Sequence, residues 1–381
     1  MRSPCWTAAM LAVACGGSEP TGNPGGNNNP PGVATVTVSQ PTVSLAVGDS
    51  VQLGATTRDS TGTLLVGRTV TWSTSDANVA SVSAGGMVRG IGVGTATITA
   101  TSETKTGQST VTVTGPPAQA ECAAPQPGWI FCDDFEQNRA AQYFERDTAN
   151  GAFVRVAGVG RNGSWGMRAR WTVGQVGAGN WKVAFGRTPN TYIDPVDAGT
   201  QDYREIYWRI YIRRQAGWTG GGGDKLSRAM SLVSNTWAQA MIAHVWSGTN
   251  AQIRDFLLVD PASGTDVNGT LQTTTYNDFA NLRWFGFDTT TTALFSNANA
   301  GTWYCIEARA RLNDAGQSNG AFQLWINGTL EAQRTNLNWV GNYSAYGINA
   351  IFFENWWDAG SPAIQERYWD NIVISTQRIN C

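Results

Sequence analysis

Lys225 is one of only three lysines in a chain of 381 residues, with Lys105 and Lys182, and it follows four consecutive glycines in "GWTGGGGDKLSRAMS". A cation beside a glycine run first suggests a phosphate cradle. That pattern, G-x-x-x-x-G-K-[ST], needs Gly-Lys-Ser/Thr ahead of a helix, and here the order is Gly-Asp-Lys-Leu. Arg228 brings a second cation three residues on, and His244 is the only histidine. Together these types can neutralise a developing anion and move a proton near neutral pH. Strand alternation puts His244 of "AQAMIAHVW" on one face with Ile242 and Trp246. A lone histidine on such a face is also the pattern of a satisfied, partly buried side chain.

A second set lies in "YREIYWRIYIRR". With a period of two, Ile206, Trp208, Ile210 and Ile212 share one face, and Tyr203, Glu205, Tyr207, Arg209, Tyr211 and Arg213 share the other. The first set is core. The second mixes rings with hydrogen-bonding groups, as a sugar-binding sheet requires, and equally suits an exposed face of cross-strand Tyr/Arg pairs. Trp218 and Glu354 are further candidate substrate contacts. Glycoside hydrolysis needs two carboxylates set about 5–10 Å apart. No E-x-D-x-x-E strand occurs, Glu205 and Glu354 stand singly, and Glu307 is expected on the opposite, convex sheet. There is no CxxC pair or His/Cys cluster to hold zinc. Asp133, Asp134 and Asp370 could form part of a structural calcium site, with turn capping as the alternative; no cofactor is required.

The elements that must position these groups are strands. Charge is nearly balanced at −2 with 14% charged residues, which excludes the basic stripe of a nucleic-acid binder. Residues 33–115 read as short alternating strands separated by turns, a β-sandwich pattern. Their order "VSLAVGDSVQLGATTRD…VTWSTSDANVASVSAGGMVRGIGVGTATITAT" resembles a bacterial immunoglobulin-like domain of group 2, which makes Trp72 a core residue and the domain a spacer or adhesive module. A Pro-rich linker (116–128) leads to residues 129–381, which hold 15 of the 17 tryptophans and no convincing amphipathic helix. Antiparallel strands over this length predict a two-sheet jelly roll. Its "FCDDFE" opening and "YWDNIVIS" close resemble the paired terminal strands of concanavalin-like folds.

Over roughly residues 200–375 the resemblance extends to family-14 polysaccharide lyases, jelly rolls that cleave uronic-acid polymers by β-elimination. It rests on the glycine run ending in Lys225-Leu226, on "LNDAGQSNGAFQLWINGTLEAQ" and on "INAIFFENWWD". The resemblance implies that Lys225 neutralises the C5 carboxylate or acts as base, with Arg228 as second cation and Tyr207 or Tyr211 as phenol. The chain departs from the family at its Ser-x-Arg and Tyr-x-Tyr pairs, where it reads "MIAHVW" and "RDFLLVD"; His244 would stand in for the missing tyrosines. The expected partner is an anionic polysaccharide, either cleaved or merely bound.

The start, "MRSPCWTAAMLAVAC", resembles a lipoprotein signal (1–15) with Cys15 acylated. Residues 16–32, Gly/Asn/Pro-rich, read as a disordered tether. The expected location is therefore a bacterial surface or outer membrane, reached only through the lipid, or the extracellular medium. Cys122, Cys132, Cys305 and Cys381 then remain for two disulfides with three possible connectivities, of which Cys122–Cys132 and Cys305–Cys381 are preferred.

Overall fold

A computed structural model describes residues 30–114, 121–220, 224–250 and 252–381. The signal with Cys5 and Cys15, most of the tether, and Gly221–Gly223 fall outside the described residues. Among the described residues there is no α-helix, only strands, turns and short 3-10 segments.

In the first unit, Thr42–Ala46 runs parallel to Lys105–Thr114, which pairs in turn with Gly94–Ser102, itself paired with Thr71–Thr74. A second sheet joins Ser50–Gln52, Met87–Gly90 and Ala80–Val82, and Thr35–Val38 pairs with Ala55–Arg58. Alternation explains the core. In Lys105–Thr114 the buried positions Ser109, Val111 and Val113 alternate with exposed threonines. Trp72 packs against this core, as its sequence context predicts.

The second unit is a sandwich of two eight-stranded antiparallel sheets. The first runs in the order Phe153–Val156, Gly166–Trp171, Gln365–Ser375, Glu205–Arg214, Trp303–Arg311, Gly320–Ile326, Thr329–Leu337, with Trp129–Asp133 also paired to Gln365–Ser375. The terminal strands thus meet, as "FCDDFE" and "YWDNIVIS" predict. The second sheet runs Glu145–Asp147, Gly177–Ala184, Ala350–Trp357, Asp224–Leu232, Gln239–Ser247, Leu257–Ser263, Arg283–Trp284, with Asp288–Thr289 also on Leu257–Ser263.

Between them lies one continuous hydrophobic core. Ile206, Trp208, Ile210 and Ile212 face Ala229, Met241, Ala243, Val245, Ile351 and Phe353. The Trp208 indole N–H would be costly to bury unpaired, and it donates to Ser227 Oγ at 2.9 Å across the sandwich. Removing a ring of this kind costs about 3–5 kcal/mol.

Disulfides Cys122–Cys132 and Cys305–Cys381 are both formed, with Cα–Cα separations of 5.5 and 6.0 Å. The second ties the C-terminus to the strand Trp303–Arg311.

Candidate functional site

In an antiparallel sheet, directly paired residues project to the same side. On the second sheet the register sets Glu145, Lys182, Phe352, Arg228, His244 and Asp260 in one line across six strands. Ser227 and Ala229, either side of Arg228, point into the core, so this line lies on the outer face. A parallel line carries Trp356, Lys225, Trp246 and Leu258. An irregularity between Lys225 and Ser227 separates the two lines by an odd number of residues yet leaves both cations on one face. The glycine run enters this strand. Gly220 has φ +84°, and a Cβ there would lie 2.9 Å from the Trp357 ring, so a side chain is excluded on both counts.

Arg228 is the hub. Its guanidinium donates to Glu354 Oε1 at 2.9 Å, to Asn277 Oδ1 at 2.8 Å and to the Tyr276 hydroxyl. It is 2% exposed and Glu354 9%, so the ion pair is buried. Burial pushes the Tyr276 phenol up to about 12; Arg228 opposes this, and Glu354 adds to it. Lys225 Nζ sits 5.0 Å from the centre of the Trp356 ring. Burial pulls the Lys225 ammonium below its ordinary value, with Arg228 acting in the same direction and Glu354 and Asp358 opposing.

His244 is 2% exposed. Burial, then repulsion from Arg228 and Lys225, pushes it well below the usual imidazole value despite its hydrogen bond to Asp260. Its Nδ1 lies 3.3 Å from the Asp260 carbonyl oxygen. A carbonyl can only accept, so in the neutral ring Nδ1 carries the proton and Nε2 holds the lone pair. Nε2 has no hydrogen-bond partner among the described residues. The ring stacks on Trp246 at 4.3 Å and on Trp284 at 5.5 Å, and Phe279 extends the stack from Trp284.

The face is not open along its full length. One end is filled with hydrocarbon: Ala184, Ile193, Met230, Leu232, Ile242, Ala262, Leu282, Ala350 and Phe352 form a small core covered by Phe144, Trp237 and Tyr276. Trp284, Trp356, Phe279 and Phe287 remain exposed. Next to Trp246 opens a cavity of about 270 Å³. A larger one, about 640 Å³, lies elsewhere, around Arg161, Arg209 and the Cys381 terminus.

The structure brings Lys225, Arg228, His244 and Glu354 together. It does not bring Tyr207, Tyr211, Glu205, Arg209 and Arg213 to them, and here the expectation is corrected. Glu205–Arg214 belongs to the first sheet and Asp224–Leu232 to the second, so the tyrosine–arginine stripe lies across the core from Lys225. Its members satisfy one another and their neighbours. Glu205 accepts from Arg309 at 2.7 Å and from the Tyr207 hydroxyl at 3.1 Å, Arg209 pairs with Glu121, Arg161 covers Tyr211, and Arg213 packs on Trp303 and Tyr368. Glu307 lies on this same sheet, as the register partner of Arg209 and not on a sheet opposite Glu205, and it accepts from the Ile379 and Asn380 backbone.

Trp218 is also corrected. It is 2% exposed and stacks on Trp357 at 5.3 Å within the core, out of reach of a substrate. The three aspartates are occupied by local bonds: Asp133 accepts from Phe135 N–H and the Tyr143 hydroxyl, Asp134 from Cys122 N–H, and Asp370 from Arg161 and Asn371 N–H. Among the described residues no group of three His, Cys, Asp or Glu side chains could hold a metal ion. Tyr276 was missed by the sequence reading. It sits in "TTTYND", which has no strand periodicity, and only its fold position gives it a role.

Residues 32–113 match the family model of the bacterial Ig-like domain (group 2). The chain is similar to several solved structures. An endo-β-1,4-glucuronan lyase from the fungus Trichoderma reesei shares 12% identity, covering 65% of this chain and 96% of that one, with a TM-score of 0.44. The alginate lyase Aly36B shares 15%, covering 67% and 94%, with a TM-score of 0.43. A PL-14 alginate lyase from Aplysia kurodai shares 9%, covering 65% and 99%, with a TM-score of 0.42. Comparison with curated proteins finds no match.

Proposed function

We propose that the outer face of the second sheet cleaves an acidic polysaccharide by β-elimination. The observation that carries this reading is the grouping of Lys225, Arg228, neutral His244 and protonated Tyr276 beside exposed indole rings. β-Elimination removes the proton at C5 of a uronide, forms the C4–C5 double bond and expels the glycosidic oxygen at C4, which takes up a proton. The carboxylate gains enolate charge on the way and needs a fixed cation. Lys225 supplies it, with the Arg228 charge behind it. His244 Nε2 has an unpaired lone pair but is buried against Trp246 and Trp284, so acting as the base requires these rings to move aside. Tyr276, held protonated, suits the leaving oxygen. Trp246, Trp284 and Trp356 offer ring faces to sugar C–H groups.

The protein is further proposed to be exported and held at a bacterial surface by acylated Cys15, with the immunoglobulin-like unit as a stalk. Of the expected 116–128 linker, residues 121–128 pack on the second unit through Cys122–Cys132 and Glu121–Arg209. The second reading is a glycan-binding protein without catalysis. Arg228 favours it, since its guanidinium is already engaged by Glu354, Asn277 and Tyr276.

The test is incubation of the purified protein with alginate, polyglucuronate and heparin-like polymers, following ultraviolet absorbance of the unsaturated uronate. Lyase action predicts a rise that Lys225→Ala reduces by about 10²-fold or more, with an unchanged unfolding temperature. Retention on a polymer with no rise supports the binding protein. A rise that survives Lys225→Ala removes Lys225 from the mechanism.

A further inference from the structure

The proposed site has two ends of opposite electrostatic character. At one end stand Lys225 and Arg228. At the other, the cavity of about 270 Å³ is lined in part by Trp246, Ser247, Asn250, Asp260, Phe287 and Asp358, and among the described residues none of its lining is basic. The two ends adjoin. Trp246 is the register partner of Lys225 and forms a cavity wall. On the other side of Lys225, Trp356 carries the lysine over its ring and donates its indole N–H to Asp358 Oδ1 at 2.6 Å.

Two carboxylates in a small pocket select against a third. Like charges brought into a partly desolvated site repel, and among the described residues no basic side chain lines the cavity to pair with a carboxylate ligand. Lys225, the nearby cation, is already opposed by Glu354 and Asp358. Asp260, pushed up to about 6 by burial, is still largely ionised at neutral pH. Such oxygens can only accept hydrogen bonds, so the matching ligand surface is rich in donors: hydroxyl, amide N–H or ammonium. The Trp246 ring and the half-exposed Phe287 add the apolar walls on which a pyranose ring packs. The volume suits one sugar unit.

We infer that this cavity is a subsite for a sugar without a carboxylate, so that the polymer recognised alternates uronate units with neutral or amino sugars. The inference rests on the acidic-polysaccharide reading of the Lys225 end and narrows it. Lys225, with the buried Arg228 charge behind it, takes the uronate, and the Asp260–Asp358 cavity takes its neighbour. A homopolymer of uronate would have to force a carboxylate against Asp260 and Asp358.

Affinity electrophoresis of the whole protein measures this without needing catalysis. The probes are hyaluronan, which alternates glucuronate with N-acetylglucosamine, and polyglucuronate, compared at matched chain length and ionic strength. The expected result is at least about tenfold tighter binding of the alternating polymer, the worth of one charge-assisted hydrogen bond. Asp358→Asn should shrink that ratio by weakening hyaluronan and strengthening polyglucuronate. Phe287→Ala should weaken hyaluronan more than polyglucuronate, and it guards against an Asp358 variant that fails to fold. Equal or tighter binding of polyglucuronate by the unaltered protein overturns the inference, as does a ratio that neither variant moves, or failure to bind either polymer. Preferential binding of hyaluronan without unsaturated product would sustain the subsite while removing the lyase reading, so the two fail separately.

Discussion

Arg228 and His244 are direct cross-strand partners on the outer face of the second sheet, both 2% exposed, and the arginine's charge helps hold the imidazole neutral. An ion pair, Arg228–Glu354, therefore sits beside a base candidate that stays uncharged under conditions where a free imidazole would begin to protonate.

The first consequence is a pH profile. His244 has its folded pKa well below the ordinary 6.5, so acidification through pH 6.5 should not reduce turnover of an acidic polymer. Initial rates measured between pH 8 and pH 6 should stay flat on the His244 account. Because Asp260 in the same site titrates at about 6, a fall with a midpoint near 6.5 that persists in Asp260→Asn would show an imidazole titrating freely and remove the buried base. Stability carries the opposite sign: the folded state resists protonating His244, so this group destabilises the fold as pH drops below 6.5.

Breaking the Arg228–Glu354 pair on one side leaves a buried charge. Glu354→Ala should destabilise by about 3–5 kcal/mol in chemical denaturation, whereas replacing both partners by methionine should cost less than the single change. If Glu354→Ala proves as stable as the parent, the pair is hydrated and the buried reading of this face is wrong.

Asp370 gives a separate stability test. Burial raises its carboxyl from 3.8 to about 7 although Arg161 and Asn371 N–H bond to it. A raised folded value means that the native state binds the proton more tightly than the unfolded chain. The group's contribution is complete below 3.8 and is lost as pH rises through 7. The unfolding temperature of the parent minus that of Asp370→Asn should therefore decrease from pH 5 to pH 8. A constant difference would mean an ordinary carboxyl.

The two disulfides should differ in weight. Cys305–Cys381 closes a separation of 76 residues and Cys122–Cys132 one of 10. Chain entropy assigns them about 4.5 and about 2.7 kcal/mol. Cys381→Ser should accordingly lower the unfolding midpoint more than Cys122→Ser when each is compared with the parent under non-reducing conditions.

The sequence by itself determined everything that depends on local pattern. Period-two alternation named the inward residues Ile206, Trp208, Ile210 and Ile212 and placed His244 with Ile242 and Trp246, because successive strand side chains must alternate between faces. Cysteine positions gave the preferred pairing, and the order of short strands gave the immunoglobulin-like unit. Only the tertiary structure decided which sheet each strand joined. Glu205–Arg214 and Asp224–Leu232 are consecutive in the chain yet lie in different sheets, and alternation is blind to that choice because either sheet buries the same inward set. The same limit hid Tyr276, whose aperiodic segment carries no pattern until the fold lays it over Arg228.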